Sequence, residues 1–192
     1  MEERNALPIL LTLALAAQQP ADLRPLARFG DVPNVTITYY DVAGRDLSEI
    51  HKAIAKAAPK DPVTHASLPA TSSWTVGVAV KSETVANRCR ITGVTLKFRG
   101  QAVMPRLLIG KDVPAPIIAA WNVYLARLED RQAAQLRFSY ERMGDVERAV
   151  LGSRCDRSEA AADAALAKLQ EQQRAAFKAD EKSQPKLEAL KD

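Results

Sequence analysis

Residues 115 to 150 carry a single helical pattern whose inward line changes character at its centre. At 100° per residue, Trp121, Leu128, Gln132, Gln135, Ser139, Val146 and Val150 project within about 40° of one line. Tyr124, Leu125 and Met143 flank it. The line is apolar at both ends, and Arg131-Gln132-Ala133-Ala134-Gln135 makes it polar in the middle. A buried amide without a partner costs roughly 1–3 kcal/mol. A helix this long with polar side chains on its inward face therefore builds a site there or keeps the shape of an old one. The pattern begins after Pro114 and Pro116, and Gly144 marks an expected bend.

The rest of the chain supplies what that helix packs on. Val35-Thr36-Ile37-Thr38-Tyr39-Tyr40 alternates and is rich in β-formers, which predicts a strand. Asp46 and Glu49 form a capping-box pattern for a helix with Leu47, Ile50 and Ile54 on its apolar side, ending near Pro59. Lys60 to Ser72 reads as loop. Trp74, Val76, Val78 and Val80 alternate as a half-buried strand. Cys89 and Ile91 open another, and Val94, Leu96 and Phe98 continue it on the opposite parity, so a β-bulge is expected at Gly93. Residues 102–109 form a possible last strand, placed at an edge by Pro105. Ser158 is positioned to cap a final helix with the apolar line Ala162, Leu166, Leu169 and Phe177. The expected fold is α+β: a small antiparallel sheet packed against the long motif-bearing helix and a C-terminal helix.

Composition excludes some chemistry. The 192 residues are 47% apolar and 26% charged, ordinary for a globular domain. The net charge of +4 is spread along the chain, which argues against a nucleic-acid partner. The only histidines, His51 and His65, are too far apart for H-E-x-x-H, which needs two His four residues apart on one helix. They are expected to be solvent-facing or satisfied locally.

Residues 6–17 form an apolar run too short to span a bilayer. It ends in Ala14-Leu15-Ala16 before Gln18-Gln19-Pro20, the pattern of a secretory signal peptide cleaved near Ala16 or Ala17. Glu2-Glu3-Arg4 departs from the usual positive start, and a buried N-terminal helix is the other reading. The expected organisation is a signal peptide over 1–17, a linker over 18–34, one domain over 35–177 and a charged tail over 178–192. After cleavage no stable membrane span is expected, and the location is periplasmic or secreted. In an exported protein Cys89 and Cys155 are expected to form a disulfide closing a loop of about 66 residues. In a reducing cytosol they would be buried thiols.

Three stretches carry a family likeness: Tyr39-Tyr40-Asp41-Val42-Ala43-Gly44-Arg45-Asp46-Leu47; Trp74-Thr75-Val76 with Cys89-Arg90-Ile91-Thr92-Gly93-Val94; and Trp121-Asn122-Val123-Tyr124-Leu125 with Cys155 downstream. In this order and spacing, over roughly residues 35 to 175, the chain resembles a bacterial domain-of-unknown-function family of predicted secreted zinc-dependent proteases. The resemblance implies H-E-x-x-H about ten residues after Trp121. The matching positions hold Arg131 for the first His, Gln132 for the catalytic Glu and Gln135 for the second His. Arginine stays charged and repels a dication. Glutamine cannot take a proton from metal-bound water and is a poor zinc ligand. The expectation is a pseudoenzyme with no catalytic residue, no metal ligand and no zinc, whose former groove serves a binding or structural role, the partner unknown, with a peptide or an envelope protein as candidates.

Two other readings follow from the residues. One is a metal-dependent peptidase with non-standard ligands among Glu129, Glu141 and Asp145, and Tyr124 or Tyr140 as acids. Asp130, Glu141 and Asp145 are more simply solvated or paired with Arg131, Arg137 and Arg142. The other is an envelope interaction protein acting through residues 159–179, although their narrow apolar line favours packing on their own domain.

Overall fold

The computed structural model describes residues 27–61 and 65–178. The expected signal peptide, most of the linker and the tail beyond residue 178 lie outside the described residues. Seven elements follow in order: β1 (Val35–Val42), α1 (Leu47–Ala57), β2 (Thr71–Val85), β3 (Arg88–Leu107), α2 (Ala115–Glu141), α3 (Met143–Leu151) and α4 (Ser158–Phe177).

The fold is α+β, with a three-stranded sheet in the order β1-β3-β2. The sheet is mixed rather than wholly antiparallel. β2 and β3 form a long antiparallel hairpin, while β1 lies parallel to β3 from Val35 opposite Gly100 to Val42 opposite Leu107. The two segments read separately as 89–98 and 102–109 are one 20-residue central strand. Pro105 is nonetheless at a local edge. β2 pairs only as far as Val103, so β3 beyond it has a neighbour on one side alone. The expected bulge is present: Lys81 pairs with Gly93 and Ser82 with Ile91, leaving Thr92 as the extra residue. Its hydroxyl donates to the Lys81 carbonyl at 3.4 Å. The hairpin turns at Ala86-Asn87, both with positive φ (49° and 60°), as a two-residue turn matched to strand twist requires.

Asp46 caps α1, accepting from Glu49 N at 2.8 Å. Glu49 reaches back to the N–H of Arg45 rather than to Asp46 itself. The long helical pattern breaks at Arg142 (φ −97°, ψ 7°), two residues before Gly144, and resumes as α3. Ser158 does not cap α4. Its hydroxyl donates back to the Cys155 carbonyl at 3.0 Å, and Arg157 occupies the cap position.

Two large apolar clusters lie between sheet and helices, with a smaller third of Ile91, Val150 and Ala162. One gathers Val42, Leu47, Ile50, Ile54, Met104 and Leu107 with Trp121, Tyr124 and Leu128 of α2. The other gathers Phe98, Ala102, Ala133, Leu136, Val146 and Leu169. Phe29 and Val32, in the stretch expected to be linker, belong to this second core, because a 3-10 turn at Ala27–Phe29 folds them under α2. Leu136 is fully buried, and its methyls would stand 3.3 Å from a Cβ placed on Gly100, so the central strand needs glycine where α2 crosses it. The apolar line of α4 is used inside the fold: Ala162 and Leu169 are buried, and Phe177 meets Phe138 edge-on at 5.8 Å. Cys89 and Cys155 are disulfide-bonded, with Cα atoms 6.1 Å apart, tying the hairpin tip to the turn before α4.

Candidate functional site

The polar centre of α2 lies between the two apolar clusters. Trp121, Tyr124 and Leu128 pack into the first, Ala133 and Leu136 into the second, and Glu129 and Gln132 are buried between them at 8% and 4% exposure. Gln135 is half-buried beside them. The face that β2 presents here begins at Ala70, just ahead of the strand.

Each amide of the motif stretch is engaged by a neighbouring element. Gln132 Nε2 donates to the Ala70 carbonyl at 3.4 Å. The Ser72 hydroxyl donates to Gln135 Oε1 at 2.9 Å. The backbone carbonyl of Gln135 accepts from Gln173 Nε2 of α4 at 2.8 Å and from Ser139 Oγ at 3.4 Å. Trp74 Nε1 in turn donates to Gln173 Oε1 at 3.0 Å. The result is a continuous chain of polar contacts joining β2, α2 and α4. Gln132 Oε1 is buried without a hydrogen-bond partner among the described residues. Arg131 is half-buried at the flank of the line.

Gln173 was not singled out by sequence reasoning, although the signal was there. It falls between Leu169 and Phe177, so the apolar line of α4 also turns polar at one position. Two helices with interrupted apolar lines point to one partly buried polar layer.

The carboxylates near the motif do not converge. Glu129 faces Arg28, with Nε 3.6 Å from Oε2, and Arg28 also pairs with Asp130. Asp145 pairs with Arg148, its neighbour one turn on. Arg137 pairs with Asp31, and the Arg142 guanidinium lies 3.6 Å over the Phe138 ring. The expected partnerships with Arg137 and Arg142 are thus replaced by contacts to the 3-10 turn region and an aromatic face. Among the described residues, no group of three or more His, Cys, Asp or Glu is placed to hold a metal ion. His51 and His65 are both exposed.

Burial sets the titration of this region. Desolvation pushes the Glu129 carboxyl above its ordinary value, and the Arg28 charge offsets part of this. Burial likewise raises the Tyr39 phenol, with the Glu129 charge adding to it and Arg106 opposing. Tyr124 is pushed up to about 12 by burial in the apolar cluster, so it holds its proton and makes a poor acid. Tyr40, also raised by burial, donates to the Pro69 carbonyl at 2.7 Å. Tyr140 lies apart, edge-on to Phe98 at 5.5 Å.

The donor set at the motif positions does not fit a zinc ion. It offers a guanidinium and two amides, and the Gln135 side-chain carbonyl already accepts from Ser72.

The family model described as "Bacterial protein of unknown function (DUF922)" matches residues 37–183. The chain belongs to this family. The DUF922 match starts inside β1 and runs through α4, so it takes in all three strands and the polar layer between α2, β2 and α4. No curated protein and no solved structure matches the chain.

Proposed function

We propose that this DUF922 chain is an exported, non-catalytic relative of secreted zinc-dependent proteases, in which the former catalytic helix serves a structural or binding role. One observation carries the reading. Gln135, at the position where the resemblance places the second metal-binding His, uses its side-chain carbonyl to accept from β2 and its backbone carbonyl to accept from α4. A ligand position has become a joint between elements. The neighbouring Gln132 keeps the shape of a glutamate without its basicity and holds the backbone ahead of β2.

Export accords with the disulfide between Cys89 and Cys155, which persists in an oxidising compartment. No described helix is long and apolar enough to cross a membrane. The functional unit proposed is the domain that follows residues 1–17, with Phe29 and Val32 contributing to its core.

Metal analysis of protein purified without chelators or added zinc, together with a peptidase assay on unstructured substrates, tests the reading. Substoichiometric zinc and no cleavage are expected. Stoichiometric zinc that disappears on Arg131→Ala or Gln135→Ala would overturn it. Intact mass of secreted material under non-reducing conditions tests export, with cleavage near Ala17 expected.

A further inference from the structure

The outer half of the β2–β3 hairpin runs past β1. β1 begins its pairing at Val35, opposite Gly100, whereas β3 extends back to Arg88. The Gly100 N–H donates to the Asn34 carbonyl at 3.1 Å, and the Phe98 carbonyl accepts from Asn34 Nδ2 at 3.3 Å. Both groups therefore point to the β1 side. Strand alternation places the N–H and C=O of Leu96 and Val94 on that same side, where no described strand pairs with them.

A groove of about 620 Å³ follows this open edge, between β3 and the α2–α3 junction. Its floor is Leu96 and Phe98 of β3, and its far wall is Tyr140, Met143 and Glu147. Exposed strand edges are templates for pairing with another chain, and natural proteins guard them with charge. Here the charged outward residues of the hairpin are mostly cationic: Lys81, Arg88, Arg90, Lys97 and Arg99 are all exposed, against Glu83 as their acidic neighbour. The inward residues along the same edge, Leu96 and Phe98, are apolar and partly or fully buried.

We propose that this groove docks an extended peptide as an added strand beside β3, collinear with β1, with acidic and apolar residues in alternation. Main-chain hydrogen bonds to Leu96 and Val94 supply affinity, and alternate side chains supply specificity. One side-chain set lies outward beside Lys97 and Arg99, where carboxylates are favoured. The other enters the groove over Leu96, Phe98 and Met143. A second copy of this chain is disfavoured as the occupant. Pairing β3 with β3 sets arginines and lysines against one another, and like charges across strands destabilise.

The test uses the full chain and a fluorescein-labelled peptide of alternating Glu and Val, read by fluorescence anisotropy. Saturable binding that weakens with added salt is expected. The Lys97→Glu/Arg99→Glu double variant, changed only at exposed positions, should weaken it about tenfold. Gly144→Phe should abolish it with every charge intact, because a side chain there meets only the end of Arg148 within 4 Å and can grow into the groove. N-methylation of the peptide backbone at alternate residues should also abolish binding. No saturable binding up to millimolar peptide overturns the proposal. So does binding unaffected by N-methylation and by Gly144→Phe, or equal binding of oligothymidylate, since either reveals a polyanion surface rather than a strand site. Concentration-dependent dimerisation that Lys97→Glu/Arg99→Glu abolishes identifies a second copy as the occupant and overturns it equally.

Discussion

The Ser72 hydroxyl donates to the side-chain carbonyl of Gln135 at 2.9 Å, across 63 positions of sequence. It fastens the start of β2 to the middle of α2, and Gln173 extends the same contact to α4. Removing either partner leaves a half-buried polar group unmet. Ser72→Ala and Gln135→Ala should each cost about 1 kcal/mol, and the double variant should cost less than their sum. Chemical denaturation of all four proteins measures the coupling, and strict additivity would show that the contact carries no weight in solution.

The disulfide closes a loop of 66 residues. Chain-entropy reasoning assigns such a closure about 4 kcal/mol. Cys89→Ser/Cys155→Ser should therefore melt on the order of 10 °C lower than the parent, without loss of helix content at room temperature. Calorimetry with circular dichroism checks this. A melting temperature unchanged within a degree or two contradicts it.

Glu129 gives a pH signature. Burial holds its carboxyl above the ordinary value of 4.5, so the folded state binds this proton more tightly than the unfolded chain does. Stability contributed by the protonated form is present at low pH and is lost as pH rises through the raised value. Relative to the parent, Glu129→Gln should gain stability over that window and hold a constant advantage above it. Urea midpoints for both proteins between about pH 4 and 8 report the difference. A difference that does not change with pH would mean that the carboxyl titrates alike in both states.

Gly100 and Leu136 are coupled by shape. A Cβ at residue 100 would lie 3.1 Å from Val35 Cγ2 and 3.3 Å from Leu136 Cδ1. Gly100→Ala should cost about 1–3 kcal/mol through overpacking, and Leu136→Ala about 2–5 kcal/mol through the cavity it leaves. Together they should cost clearly less than the sum, since each relieves the other.

Ala86 turns the hairpin at φ 49°, a conformation that costs a side chain bearing a Cβ. Ala86→Gly should stabilise the protein by up to about 1 kcal/mol. A loss of stability would indicate that the turn tolerates alanine for reasons beyond backbone conformation.

Much of the fold was legible because local chemistry and tertiary packing agree. The Asp46 cap of α1, the parity switch around Gly93 and the apolar line of α4 all appear where pattern places them, although Glu49 reaches Arg45 rather than completing the box on Asp46. The parallel pairing of β1 was not legible, because period-two alternation is the same in either strand direction. Residues 89–98 and 102–109 read as separate strands because Gly100 and Pro105 punctuate them. Gly100 answers instead to the α2 crossing, and Pro105 to the end of β2. Ser158 fits a cap by residue type, but its hydroxyl is already engaged with Cys155. At the candidate site, the interruption at Gln132 and Gln135 showed that something polar lay beneath α2. The identity of the partners did not follow, because Ser72, Ala70 and Gln173 come from segments brought there only by the tertiary fold.

The parallel pairing also sets an order of events in time. β1 is held to the sheet through β3 alone, and contacts such as Arg106 with Asp41 span 65 positions. On a growing chain, β1 is synthesised well before the strand it needs, while β2 meets β3 across a two-residue turn. The hairpin can close at once, and β1 has no strand to pair with until it does, only α1 to pack on. For that interval the pairing edge of β1 stands open, with α1 covering only part of its apolar side. Whatever keeps the nascent chain from aggregating must shield the segment from Val35 to Val42 until Leu107 has been made.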